Sequence, residues 1–228
     1  PPPHSAIGVL ATAIHKLEKN PFPAKLEGPT MQMLAYLAPE MEPPMNVVLS
    51  NPKLFAPLIK KELTKSRSTN AGIRTTTAVT IIEAGEKENV LPPEARAVVN
   101  FRLMPGTAGQ DVIGHIERVV DDPRVRIEPT SHDVHEASSV SDVNSESYKL
   151  LDRASREIFP GTMVAPYLAL GGTDAKHYEP ISDNIFRFLP TRLDPEEMKG
   201  IHGTNERVKV DNYVEVIQFY ARMMVISN

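Results

Sequence analysis

RTTTAVTIIEAG (74–85) and EARAVVNFRLMPG (94–106) decide how this chain folds. The first is rich in β-branched residues, whose side chains pack well on a pleated surface, and it ends in a Gly turn, so it reads as a strand. The second alternates. Ala95, Ala97, Val99, Phe101 and Leu103 share one face, and Arg96, Val98, Asn100 and Arg102 the other, the period-two pattern of a half-buried strand.

Helices flank this pair. After it, residues 108–120 carry Val112, Ile113, Ile116 and Val119 at helical spacing, and RVRIEP (124–129) reads as a further short strand. Before it, SAIGVLATAIHKLEK (5–19) places Ile7, Leu10, Ala13, Ile14 and Leu17 on one helical face, with Ser5 as N-cap. The prolines of NPFP (20–23) stop that helix, because each lacks the N–H that a helix must donate. PKLFAPLIKKELTKS (52–66) predicts a helix burying Leu54, Leu58 and Ile59, and the Pro- and Met-rich 38–51 a long connection preceded by a short helix. Helix, strand, strand, helix, strand is most of a ferredoxin-like layer. Its first strand is expected upstream of residue 1, and the abrupt start PPPHSAIG, which is neither a basic leader nor an apolar one, reads as the beginning of a piece of something longer.

The character changes after residue 129. SHDVHEASSVSDVNSES (131–147) is polar and linker-like. A helix follows at about 145–158, then the apolar strands GTMVAPYLAL (161–170) and NIFRFLP (184–190). The chain closes on a helix, DNYVEVIQFYARMMVIS, with Asp211 as N-cap and Val214, Ile217, Tyr220, Ala221 and Met224 turned inward. Strands alternating with helices suggest half of an open α/β sheet. The expected fold class is therefore α/β: a ferredoxin-like α+β layer lacking its first strand, then the C-terminal part of an open sheet domain.

Composition narrows the function classes. The 228 residues are 41% hydrophobic and 24% charged, ordinary for a chain with a real core. A net charge of −4, without Trp or a basic block, argues against nucleic acid. Phe101, on the face assigned to the core, leaves no aromatic platform for RNA bases on the sheet. With no cysteine there is no disulfide, thiolate metal site or cysteine nucleophile. No apolar run approaches the ~20 residues of a membrane span.

Four places could carry chemistry. In LGGTDAKHY (170–178) a glycine pair follows an apolar strand, where a ligand or another backbone could approach closely; the alternative is a tight turn capping the next helix. In GIHGTNERV (200–208) glycines present His202, whose neutral imidazole suits zinc, with Glu206 as an outer carboxylate; the alternative is a capped loop. One histidine makes no zinc site, which takes three or four protein ligands. Arg102 offers a planar fork for a substrate carboxylate and Asn89 an amide donor, against the alternative of an ordinary polar sheet face. The pair His132 and His135 in SHDVHE falls in a linker and reads poorly as a metal site, and His4, His15, His115 and His177 read as solvated.

Four ordered blocks, PPPHSAIGVLATAIHKLEKNPFPAKL (1–26), STNAGIRTTTAVTIIEAGEKENVLPPEARAVVNFRLMPG (68–106), LALGGTDAKHY (168–178) and GIHGTNERV (200–208), give the chain a resemblance to the C-terminal half of the zinc-dependent aminoacylase/carboxypeptidase family, above all its carboxypeptidase S branch. That resemblance implies a two-domain enzyme whose metal-binding α/β domain is interrupted by a smaller dimerising lid. Residues 1–128 would be the lid and 129–228 the last part of the catalytic domain. It implies that His202 is the final metal ligand of a site holding one or two zinc ions. It further implies that Asn89, Arg102, Gly171, Gly172 and Thr173 contact the substrate, a small N-acyl amino acid or peptide, and that the lid forms a homodimer. The family's remaining metal ligands, its general base and its lid histidine have no counterpart in these residues; His4 follows the prolines that the lid histidine should precede. The resemblance thus implies a hydrolase of amide bonds as the intact parent, with these residues alone expected to bind zinc weakly and turn nothing over. The competing reading is a non-catalytic module that dimerises or binds a carboxylate.

Overall fold

The computed structural model describes residues 2–130 and 136–227. In chain order its elements are α1 (Ala6–Lys19), α2 (Gly28–Leu37), α3 (Met45–Ser50), α4 (Ala56–Leu63), α5 (Arg67–Ala71), β1 (Thr76–Ala84), β2 (Ala95–Arg102), α6 (Gly109–Val120), α7 (Glu146–Ile158), α8 (Pro195–Gly200) and α9 (Val210–Ile226). Single 3-10 turns cover Ala38–Glu40 and Asp174–Tyr178. The chain divides into two compact units, Pro1–Thr30 with Pro52–Ser138 and Met31–Asn51 with Ser139–Asn228.

The first unit is an antiparallel hairpin with helices. β1 and β2 pair from Thr76 opposite Arg102 to Ala84 opposite Ala95, with a register shift between Val79 and Ile81. The alternation expected of β2 holds except at Val98: Ala95, Ala97, Val99 and Phe101 are half-buried and Arg96, Asn100 and Arg102 exposed, but Val98, on the polar face, is half-buried too. α1 begins where Ser5 Oγ accepts the Gly8 N–H at 3.1 Å. Ala13 and Leu17 of α1 and Val120 of α6 form a core, with Ile116, Val119 and Val125 against it. The Lys16 ammonium donates to the Val120 carbonyl at the end of α6, where a helix leaves its last carbonyls unpaired. Ile73 is fully buried, and the Lys25 N–H donates to its carbonyl at 2.7 Å.

Three expectations fail in this unit. His115 is not solvated but buried: its ring stacks on Phe22 with centroids 3.9 Å apart, and its Nε2 lies 3.0 Å from the Asn20 carbonyl. The segment 124–129 begins in a turn and joins no ladder; among the described residues β1 and β2 are the only strands. It follows a left-handed residue, Asp121 at φ 42°, and a tight turn in which Arg124 Nη2 lies 2.6 Å from Asp122 and the Val125 N–H donates to the Asp122 carbonyl at 3.0 Å. Of the three apolar residues expected inward on the 52–66 helix, Ile59 alone is buried; Leu54 precedes α4, which starts only at Ala56, and Leu58 lies on its exposed face.

The second unit is held by α7 against α9. Ala154, Phe159 and Phe219 form its core, joined by Leu151, Ile158, Met223 and Ile226. Ser145 caps α7 as a hydroxyl acceptor for the Tyr148 N–H. Burial, with the phenol of Tyr36 and the carboxylate of Asp152 nearby, pushes the Tyr148 hydroxyl up to about 12. The runs 161–170 and 184–190 form no ladder. Side chains substitute for one: Ser141 Oγ accepts the Ile185 N–H at 2.8 Å and donates to the Ile185 carbonyl at 2.9 Å. The terminal helix is rotated from expectation. Lys209, not Asp211, precedes its first turn, and Asn212 and Phe219 are the buried residues, while Val214, Ile217, Tyr220, Ala221 and Met224 are exposed.

Candidate functional site

Gly171, Gly172 and Thr173 form an exposed loop leading into the 3-10 turn. A Cβ built on either glycine would meet nothing within 4 Å, and neither has a left-handed backbone. Packing and conformation therefore do not demand glycine at these positions. What glycine does give them is backbone amides that a ligand can reach without passing a side chain. Thr173 Oγ1 accepts the Ala175 N–H at 3.2 Å, so the capping alternative is realised in the same loop. It accepts a second hydrogen bond, from Arg187 Nε at 3.2 Å.

His202 sits in a turn with two left-handed residues, itself at φ 59° and Asn205 at φ 65°. Such backbone costs a residue with a Cβ roughly 1–3 kcal/mol and persists where the surroundings enforce it. Here the Glu206 carboxylate accepts the His202 N–H at 3.2 Å, so this acid shapes the turn rather than the imidazole. Gly203 is closely packed, since a Cβ there would lie 3.3 Å from the Gly200 carbonyl oxygen and would have to displace it slightly. The turn is also closed at its base. Lys209 Nζ lies 3.1 Å from both Asp194 and Glu197, and Asp194 caps α8 by accepting the Glu196 and Glu197 N–H groups. Hydrogen bonding to Glu197 and Asp194 pushes the Lys209 ammonium up, and the Glu197 N–H together with Lys209 holds the Asp194 carboxyl down. The D-P-E-E run at 194–197 carries the capping signature from which this clasp is legible.

Asn89 and Arg102 belong to the first unit, and Gly171, Gly172, Thr173 and His202 to the second. Arg102 ends β2, and Asn89 lies in the connection at the other end of the hairpin. The seven steps from Ala95 to Arg102 span about 24 Å, so the hairpin does not bring these two residues together. Arg96, on the same strand face as Arg102, pairs with Glu83 at 3.7 Å. A pocket of about 200 Å³ in the second unit is lined by Phe159, Val164, Phe188, Pro190 and Arg192 among others, and by none of the site candidates.

The donor set does not fit a metal ion by itself. Among the described residues no group of three or more His, Asp or Glu side chains is placed to hold one, and His202 supplies a single exposed imidazole. His132 and His135 lie outside the described residues.

Comparison with known proteins adds the context. The family described as peptidase dimerisation domain, of the M20 type, matches residues 3–128. The chain is 40% identical over 220 residues to the probable carboxypeptidase S-like 2 of Dictyostelium discoideum, covering 96% of this chain and 42% of that protein. It is also 40% identical over 221 residues to the human N-fatty-acyl-amino acid synthase/hydrolase PM20D1, covering 96% of this chain and 44% of the relative. The chain thus spans less than half the length of these curated relatives. Among solved structures, the M20 family metallo-carboxypeptidase Sso-CP2 of Sulfolobus solfataricus superposes with a TM-score of 0.58 at 18% identity, covering 97% of this chain and 52% of that one. That likeness bears on the fold.

Proposed function

The chain belongs to the M20 peptidase family, whose dimerisation domain its residues 3–128 match, and from that premise we propose that it supplies the dimerising lid and part of the site of a metal-dependent hydrolase. The bond cleaved is the amide of an N-acyl amino acid or short peptide. The observation that carries this reading is identity near 40% over almost the whole chain to a carboxypeptidase S-like protein and to an N-fatty-acyl-amino acid synthase/hydrolase.

Each unit has its own part. Arg102 pairs with the substrate carboxylate, for which its planar fork of donors is suited. Gly171 and Gly172 let the substrate approach the backbone, and Thr173 adds a hydroxyl. Asn89 donates to a substrate oxygen, and in a homodimer it serves a different copy's site from the one Arg102 serves, a reading supported by its place at the far end of the hairpin. His202 is one ligand of a zinc site, and its further ligands would come from polypeptide outside these 228 residues.

The test is hydrolysis of a panel of N-acetyl and N-lauroyl amino acids by the full-length gene product, before and after chelation and zinc re-addition. Turnover that needs the metal, with KM raised about tenfold or more by Arg102→Met through loss of a charge-assisted contact, is the expected result. An inert full-length protein that still dimerises would establish the non-catalytic module instead. Turnover by residues 1–228 alone would overturn the assignment of the missing ligands to other polypeptide.

A further inference from the structure

Arg187 stands alone as a cation inside the apolar run NIFRFLP, a costly position unless the guanidinium has partners. It has them in the loop after the other apolar run. Its Nε donates to Thr173 Oγ1 at 3.2 Å, and its Nη2 lies 3.9 Å from Glu179 Oε1. The side chain is 23% exposed, so the stem is packed while the head reaches the loop.

The consequence falls on Thr173. A hydroxyl has two acceptor lone pairs and one donor hydrogen. Arg187 Nε–H occupies one lone pair and the Ala175 N–H, at 3.2 Å, the other. Two donors facing the oxygen leave its hydrogen one direction, and among the described residues no acceptor meets it there. Without Arg187 the same hydroxyl could turn and present either a donor or a lone pair.

We propose that Arg187 is a positioning residue that locks the Thr173 hydroxyl as an outward hydrogen-bond donor, selecting a substrate that places an acceptor oxygen at the 171–173 loop. This rests on reading that loop as a substrate loop. The lock favours acceptor-only groups, a carboxylate or an amide carbonyl oxygen, over groups that arrive as donors.

The test is a double-mutant cycle in the full-length gene product, with kcat and KM measured on N-acetyl and N-lauroyl amino acids and unfolding followed by circular dichroism. Thr173→Val, which keeps the shape and removes the donor, is expected to lower kcat/KM about tenfold or more, and Thr173→Ser to restore most of it. Arg187→Met is expected to lower kcat/KM several-fold in the wild-type background and to add nothing in the Thr173→Val background. Arg187→Leu, which also removes the donor and keeps apolar bulk in the run, replaces the Met variant should that one unfold. Equal losses from Arg187→Met in both backgrounds would make Arg187 merely structural and overturn the proposal. A wild type active on the panel and indifferent to Thr173→Val would overturn the substrate-loop reading as well. A wild type inert on every substrate would overturn both together with the hydrolase reading.

Discussion

Glu157 and His202 show two ways in which a single residue carries a cost or a gain. The Glu157 carboxylate accepts from Arg222 on α9, whose Nη2 lies 3.1 Å from Oε1, and from Arg153 one turn back on α7 at 3.0 Å. Those hydrogen bonds, Arg222 first, hold its carboxyl at about 2, against an ordinary 4.5. A carboxyl depressed by folding contributes stability that is complete above its unfolded value and drains away as pH falls through the folded one. Denaturant midpoints of the wild type are therefore expected to fall between about pH 5 and pH 2 more steeply than those of Glu157→Gln. Parallel curves would remove Glu157 from the acid response. His202 is the opposite case, a residue held in backbone that its Cβ resists. His202→Gly is expected to leave stability within about 1 kcal/mol of the wild type, relief of strain offsetting the freer unfolded chain. His202→Val, β-branched at φ 59°, is expected to cost about 1–3 kcal/mol. Thermal unfolding of the pair decides, and equal midpoints would show that the turn does not enforce the left-handed conformation.

At the scale of elements, what could be read from sequence depended on whether apolar residues pointed one way. β2 was legible because its alternation has one solution. α6 was legible in outline, yet the spacing of Val112, His115, Ile116 and Val119 is itself a helical face. Its polar member was set aside because imidazole is more often wet, whereas Phe22 and the Asn20 carbonyl satisfy both its ring and its nitrogen. α9 misled for a different reason. It carries apolar residues around most of its circumference, so periodicity cannot say which stripe meets α7. The structure selects Phe219, and leaves Val210, Tyr213, Val214 and Ile217 exposed. Phe219→Ala is expected to destabilise by about 3–5 kcal/mol, the usual range for emptying an aromatic site in a core. Ile217→Lys on the outer stripe is expected to stay within about 0.5 kcal/mol. A loss from Ile217→Lys comparable to that from Phe219→Ala, in urea unfolding, would reverse the assignment of faces. The strands expected at 161–170 and 184–190 have strand-like sequences without ladder partners, which no local pattern can reveal, because pairing is a property of two segments.

For the whole molecule, the candidate site residues legible in the sequence were those with distinctive chemistry, Arg102, His202 and the 171–173 loop. Arg187, which meets the 171–173 loop, and Lys209, which ties down the turn around His202, surfaced only through contacts between residues well apart in the chain, whereas the Asp194–Glu197 cap was legible as the D-P-E-E run. Geometry then adds a constraint on assembly that no motif contains. Arg102 ends a ladder about 24 Å long and Asn89 lies in the connection at its other end, so the hairpin of a single copy does not bring them to one amino-acid-sized substrate. If both serve catalysis in a homodimer formed through the peptidase dimerisation domain, each site takes Arg102 from one copy and Asn89 from its partner. Full-length protein carrying Asn89→Ala and full-length protein carrying Arg102→Met would each be impaired alone. Mixed and allowed to exchange subunits, half the dimers would be hybrids, and in a two-fold assembly each hybrid rebuilds one intact site from the two unmutated residues and loads both lesions onto the other. Activity recovered to about a quarter of wild type is the expected outcome. Recovery must appear on the time scale of subunit exchange and vanish when the two variants are cross-linked before mixing. A mixture no more active than the average of its parts would place both residues in one copy's site, or one of them outside catalysis altogether.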